Sequence, residues 1–185
     1  MTSHAGPPAL DGQAQALIGA LTARLLVGSS ATAVLEAWCA ERGLPGAALV
    51  AERIPRPDKP LGAVQRRRLG LGPDETARYR RVRLVCGPHV LSVADNWYVP
   101  GRLTPAMNQN LAATGVPFGR VVQALLPTRR TLAVHPLGSA AAPPAADTPL
   151  FTVAAVLATP DGVPFCEVDE TYLGAVLGLS WGHGA

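Results

Sequence analysis

Lysine is nearly absent from this 185-residue chain: of its 16 Lys and Arg, only Lys59 is a lysine. With so much Ala, Gly and Pro alongside, the bias is what a GC-rich coding sequence leaves behind. It therefore does not mark a nucleic-acid binder, in which basic charge gathers on one face. Aromatic residues are 5% of the chain, too few to lay out a stacking platform for single strands. Cysteine is confined to Cys39, Cys86 and Cys166. Three cannot all pair, and their spacing fits no zinc motif, so they read as buried, reduced thiols. His4, His89, His135 and His183 are scattered, and no pair has the helical spacing of metal ligands. No apolar run approaches the ~20 residues of a membrane-spanning helix. The N-terminus has no basic start followed by an apolar stretch, unlike a signal peptide. Dinucleotide and phosphate-loop motifs are missing. The expectation is a cytoplasmic monomer with no metal, no cofactor, no membrane span and no nucleic-acid partner.

What is present suits one folded domain of ordinary size, with 48% hydrophobic and 16% charged residues. Asp11 can cap a helix over 12–27, where Ala16, Leu17, Leu21, Leu25 and Leu26 recur at helical spacing. A second helix is expected over Thr32–Glu41, capped by Ser30 or Thr32 and stopped at Gly43. Ala47–Arg53 reads as a strand, and 54–77 as a connecting loop in which the Arg66–Arg68 run is solvated. Arg78–Cys86 and His89–Val99 form a hairpin around Gly87-Pro88. Thr104 caps a short helix from Pro105 to Ala113, and 120–126 is a further helical piece. Arg130–Val134 is a short strand, and 139–148 an exposed excursion. Phe151–Ala158 and Val163–Leu173 make a last hairpin across Thr159-Pro-Asp-Gly162. The fold class is α+β: an antiparallel sheet built from hairpins, covered by helices and flap-like helical loops. The divisions are a frayed start and helix over 1–28, the domain over 29–177, and a loose C-terminus over 178–185.

The chemistry centres on the arginine-bearing strand. Alternation puts Tyr79, Arg81, Arg83 and Val85 on one face, and Arg80, Val82, Leu84 and Cys86 on the other. An arginine among apolar residues in a central hairpin is costly unless its guanidinium meets an anion, and its planar fork suits a carboxylate. That anion is either internal, such as Glu167, Asp169 or Glu170 in the last hairpin, or a ligand's carboxylate.

The stretch Arg78-Tyr-Arg-Arg-Val-Arg-Leu-Val-Cys86, followed by Tyr98-Val-Pro100, Leu103 and Thr114-Gly-Val-Pro-Phe-Gly-Arg120, resembles the chorismate pyruvate-lyase family. The same fold occurs in the UTRA effector-binding domain of bacterial transcription regulators. Gly162-Val-Pro and Asp169-Glu-Thr-Tyr-Leu173 match the family's final hairpin, and Ser30-Ala-Thr32 matches its early segment more loosely. The resemblance covers about 29–173. It implies that Arg81, five positions before Cys86, binds a ligand carboxylate. It implies that Glu170, with a one-residue shift, or Asp169 without one, meets the ligand's ring hydroxyl; Arg81 and Glu170 would be the catalytic pair. It also implies backbone contacts from Pro117-Phe118-Gly119, and contacts from Ala31 and from Asn96. The chain departs from the family at Ala31, where the family is bulkier, and at Asn96, where it carries a second arginine.

The implied activity is a carbon–oxygen lyase that eliminates pyruvate from chorismate to give 4-hydroxybenzoate, needing no cofactor. The alternative is a non-catalytic binding domain of the same fold for a small aromatic carboxylate. A third is a structural protein with a degenerate pocket. About 30 residues precede the matching region, too few for a regulator's helix-turn-helix, which favours a stand-alone protein.

Overall fold

The computed structural model describes residues 12–44, 48–137 and 144–178. The expected Asp11 cap, the frayed start, the C-terminal tail and the first half of the 139–148 excursion lie outside the described residues. Helix α1 runs Gly12–Val27 and buries Ala14, Leu21 and Leu25, whereas Ala16 and Leu26 point outward. Helix α2 spans Ala31–Glu41. Ser30 in extended backbone is its N-cap, its hydroxyl accepting from the Ala33 N–H at 3.3 Å.

The strands are β1 (Val50–Arg53), β2 (Arg78–Cys86), β3 (His89–Tyr98), β4 (Thr128–Pro136), β5 (Pro149–Ala158) and β6 (Pro164–Leu173). They form one six-stranded antiparallel sheet in the order β1-β2-β3-β6-β5-β4. Both expected hairpins are present. Each turns through a glycine at positive φ, Gly87 (55°) and Gly162 (88°), where a side chain would be strained. Strand β4 is longer than expected at both ends, so Arg129 lies inside the sheet.

Two differences from the sequence reading matter. The segment 54–77 is not structureless: it carries helix α3 over Ala63–Arg68, whose start is held by the Gly62 N–H donating to Gln65 Oε1 at 2.9 Å. The Arg66–Arg68 run is not wholly solvated either, since Arg68 Nη1 donates to the buried Glu167 at 2.6 Å. This segment covers part of one sheet face. There the fully buried Leu69 follows α3, and the Trp97 indole donates to the Lys59 carbonyl at 2.9 Å.

The other sheet face holds the main core. Helices α1, α2, α4 (Pro105–Ala113) and α5 (Phe118–Val121) pack there. The apolar interior divides into two clusters. One joins α1 and α2 to Val82, Leu84, Ala94 and Val153; the other joins α4 and α5 to Tyr98, Leu157 and Val168. Register places Arg80 opposite Asn96, and the next pair on that face puts Ala94 opposite Glu170. A polar belt thus crosses the covered face where the two clusters meet. That belt positions the site.

Candidate functional site

A small chamber lies under the N-terminus of α2 and the start of α5. Ala31, Asn96, Phe118, Gly119, Arg129 and Glu170 line it. Five of these are the positions the resemblance pointed to; Arg129 is an addition. Arg129 comes from β4 and Glu170 from β6, brought together across β5. Their side chains are 3% and 9% exposed, with Arg129 Nη2 at 2.7 Å from Glu170 Oε2. Tyr172 donates its hydroxyl to the same oxygen at 2.9 Å. Burial, the largest single influence, pulls the Arg129 guanidinium down, but the Glu170 charge and hydrogen bond together with Tyr172 and Cys166 outweigh it, and the net direction is up. Burial and the Glu170 charge push the Tyr172 phenol well above its ordinary value. Arg129 is therefore a cation, and Tyr172 keeps its proton and donates.

The belt holds more donors than acceptors. Arg80 is 2% exposed, and none of its three guanidinium nitrogens has a hydrogen-bond partner. Asn96 Nδ2 and Arg129 Nε are also buried without one. Burial, then the charge of Arg53, lowers the Arg80 pKa. A guanidinium remains protonated even so, because its ordinary value is above ~12.

Arg81 does not join this chamber. It lies on the opposite sheet face, as alternation requires, with Nη1 at 2.9 Å from Asp95 Oδ1. Asp95 also accepts from Tyr79 at 2.7 Å and Lys59 at 3.2 Å. Burial pushes the Asp95 carboxyl up, but those three partners together hold it below its ordinary value. The internal partner of Arg81 is thus on its own hairpin, not one of the three acids anticipated in the last hairpin. Asp169 also faces this side, in a separate depression of about 390 Å³ shared with Arg81 and His135. Of the two acidic candidates, only Glu170 faces the covered chamber.

Sequence reasoning passed over Arg80 and Arg129. Arg80 had a signal: it alternates with Val82, Leu84 and Cys86, the more apolar face of its strand. Arg129 had a weaker one, because starting the strand at Arg130 left it in a loop.

Beyond the chamber is a wider vestibule of about 470 Å³, lined by Glu36, Arg120, Gln123 and Leu126 among others. The two spaces share Ser29, Ser30, Thr32, Gly119 and Pro127. A Cβ at Gly119 would come within 2.7 Å of Thr32 Oγ1 and 2.9 Å of Ser30 Oγ. Only glycine lets α5 approach α2 so closely.

No protein-family model matches the chain. The uncharacterized protein y4mC of Sinorhizobium fredii (strain NBRC 101917 / NGR234) is 40% identical over 189 aligned positions, covering 93% of this chain and 80% of that one. Among solved structures, PhnF from Mycobacterium smegmatis superposes with a TM-score of 0.56 at 14% identity, over 81% of this chain and 66% of that one. The present chain thus spans just under two thirds of that PhnF chain. The effector domain of PhnF alone superposes with a TM-score of 0.53 at 15% identity, over 80% of this chain and 90% of that one. At such identities the likeness is one of fold, and the fold is the α+β architecture of UTRA effector domains and chorismate lyase-like proteins. The chain belongs to the same family as the rhizobial protein y4mC.

Proposed function

We propose that this chain is a small-molecule-binding domain whose covered chamber takes a carboxylate. The observation that carries this reading is the surplus of buried donors. Arg80, Asn96 Nδ2 and Arg129 Nε are all without acceptors. Each buried polar group left unmade costs ~1–3 kcal/mol, and more when charged. A carboxylate offers acceptors on both oxygens and one negative charge. Asn96, Arg129 and Glu170 line the chamber, while Arg80 stands just behind its wall, paired across strands with Asn96. With Arg80 and Arg129 against Glu170, the belt has a surplus of one positive charge for the ligand to meet. In this assignment Glu170 neutralises and orients Arg129, and Phe118 packs against the ligand's apolar body. Arg81 is a staple of the β2–β3 hairpin. The fold shared with an effector domain supports binding without turnover.

The lyase reading, elimination of pyruvate from chorismate to leave 4-hydroxybenzoate, uses the same chamber. It would place Glu170 at the ring hydroxyl. What favours it is the juxtaposition of one accepting carboxylate with several orphan donors, which matches a ring bearing a hydroxyl and an acid.

One experiment separates the two. Purified protein is titrated with 4-hydroxybenzoate by calorimetry and, separately, incubated with chorismate while pyruvate is assayed. The binding reading expects saturable heat that is lost in Arg129→Met, with no pyruvate above the uncatalysed rate. Pyruvate release abolished by Glu170→Gln would establish the lyase instead. No heat with either compound would remove the aromatic carboxylate from consideration.

A further inference from the structure

The uncovered face of the sheet holds a recess of its own, the depression of about 390 Å³ beside Arg81 and Asp169. That exceeds the ~150 Å³ in which a benzene ring is housed, so a small organic molecule has room. Register sets the charges of the recess in one row: Arg81 on β2 faces Asp95 on β3, and Asp95 faces Asp169 on β6. Ala154 of β5 follows in the same row, and its single methyl leaves the recess open beside Asp169. In the next row Thr171 faces Thr152, and His135 of β4 closes the far side.

Two carboxylates directly opposite each other on neighbouring strands repel. Only one of this pair is compensated. Asp95 takes the Arg81 guanidinium at 2.9 Å, the Lys59 ammonium at 3.2 Å and the Tyr79 hydroxyl at 2.7 Å. Asp169 joins no ion pair and accepts no hydrogen bond among the described residues. Burial, opposed by the charge of Lys59 and reinforced by that of Asp95, pushes its carboxyl above the ordinary value. A carboxylate so placed lacks a cation. On the other side of Asp95 the donors are in excess. Lys59, the chain's one lysine, is held over the Trp97 ring at 4.9 Å and gives one N–H to Asp95, which leaves two of its three donors for another acceptor. Its side chain is 53% exposed and lines the recess, so those donors can be reached.

We propose that this recess is a second binding site and that its ligand is a free α-amino acid. The ligand's ammonium meets Asp169, its carboxylate meets Lys59 with Arg81 behind, and its side chain lies over Ala154 toward His135. A zwitterion carries no net charge, and it matches a row in which Lys59 and Arg81 already balance Asp95 and Asp169. A simple amine would leave the spare Lys59 donors unmet, and a simple acid would leave Asp169 unmet. The sheet separates this recess from the covered chamber, so the proposal is independent of the carboxylate reading of that chamber.

Saturation-transfer NMR with mixtures of the common free amino acids tests it, followed by calorimetric titration of the strongest binder, its N-acetyl derivative and its methyl ester. Acetylation removes the ammonium, and esterification removes the carboxylate. At least one amino acid should show transfer, and each derivative should bind more weakly by about tenfold or more, the scale of one lost charged hydrogen bond. Asp169→Asn, uncharged and of the same shape, should weaken the free amino acid by at least the same factor. This variant should melt no lower than the wild type, because the charge facing Asp95 is gone, and its heat of 4-hydroxybenzoate binding in the chamber should not change. No transfer from any amino acid would overturn the proposal. So would transfer undiminished in Asp169→Asn, or a derivative that binds as tightly as its parent. A lower melting temperature for Asp169→Asn would remove the uncompensated charge on which the site rests.

Discussion

Neighbouring arginines on one strand have opposite fates. Arg81 finds Asp95 at 2.9 Å on the open side, while Arg80, one residue earlier, is buried with nothing to bond. Arg102 shows what a satisfied arginine looks like here: it meets the Glu75 carboxylate and the carbonyls of Leu69, Gly70 and Pro164. Those bonds, the Arg102 hydrogen bond first and then the Gly72 N–H, hold Glu75 down at about 2 from an ordinary 4.5. Because its folded pKa is depressed, Glu75 contributes stability that is fully present above about pH 4.5 and lost as pH falls toward 2. Denaturation of wild type and Glu75→Gln across that range should show the wild type more stable at pH 7, with the gap closing toward pH 2. A gap that does not change with pH would mean the carboxylate's charge is not what Arg102 responds to. The alternation that separates Arg80 from Arg81 was readable in the sequence. The acid that takes up Arg81 was not, because cross-strand partners depend on register, which a turn one residue longer would shift.

At the level of elements, the hairpins were the most legible part, since β-forming runs bounded by Gly and Pro carry their own punctuation. Helix α3 was illegible: its six residues include three consecutive arginines, and it is held by its contact with Glu167 rather than by helix propensity. The end of β4 was illegible for a related reason, because pairing with β5 extends it past the expected boundary to include Arg129. The contact of α5 with α2 is where an element fixes the site. There Gly119 meets the hydroxyls of Ser30 and Thr32, one of which caps α2. Gly119→Ala forces those hydroxyls apart at a cost of ~1–3 kcal/mol, as overpacking does. The expected result is a lower midpoint in denaturant unfolding. An unchanged midpoint would show that α5 and α2 part at this contact without loss.

Across the whole molecule, a single sheet is covered by helices on one face, and a polar belt crosses the seam between two apolar clusters. Five of the six site positions drawn from the resemblance meet at that seam because they share the covered face: Ala31 at the start of α2, Phe118 and Gly119 in α5, Asn96 in β3 and Glu170 in β6. The sixth, Arg81, is separated from them by the thickness of the sheet. Among the described residues no helix is long and apolar enough to cross a membrane. A seam of unmet donors lowers the stability of the empty protein, and a ligand that meets them restores it by mass action, by ~2.7 kcal/mol at a hundredfold excess over Kd.

The central claim is that Arg80 is kept unpaired for a ligand's anion, and thermal unfolding of Arg80→Met with and without 4-hydroxybenzoate tests it most directly. An apolar side chain of similar length fills the space without the unmet charge, so the empty variant should be more stable than wild type by ~1–3 kcal/mol. It should also lose most of the ligand-induced rise in melting temperature. A variant less stable than wild type, or one whose ligand-induced rise is unchanged, would contradict the account.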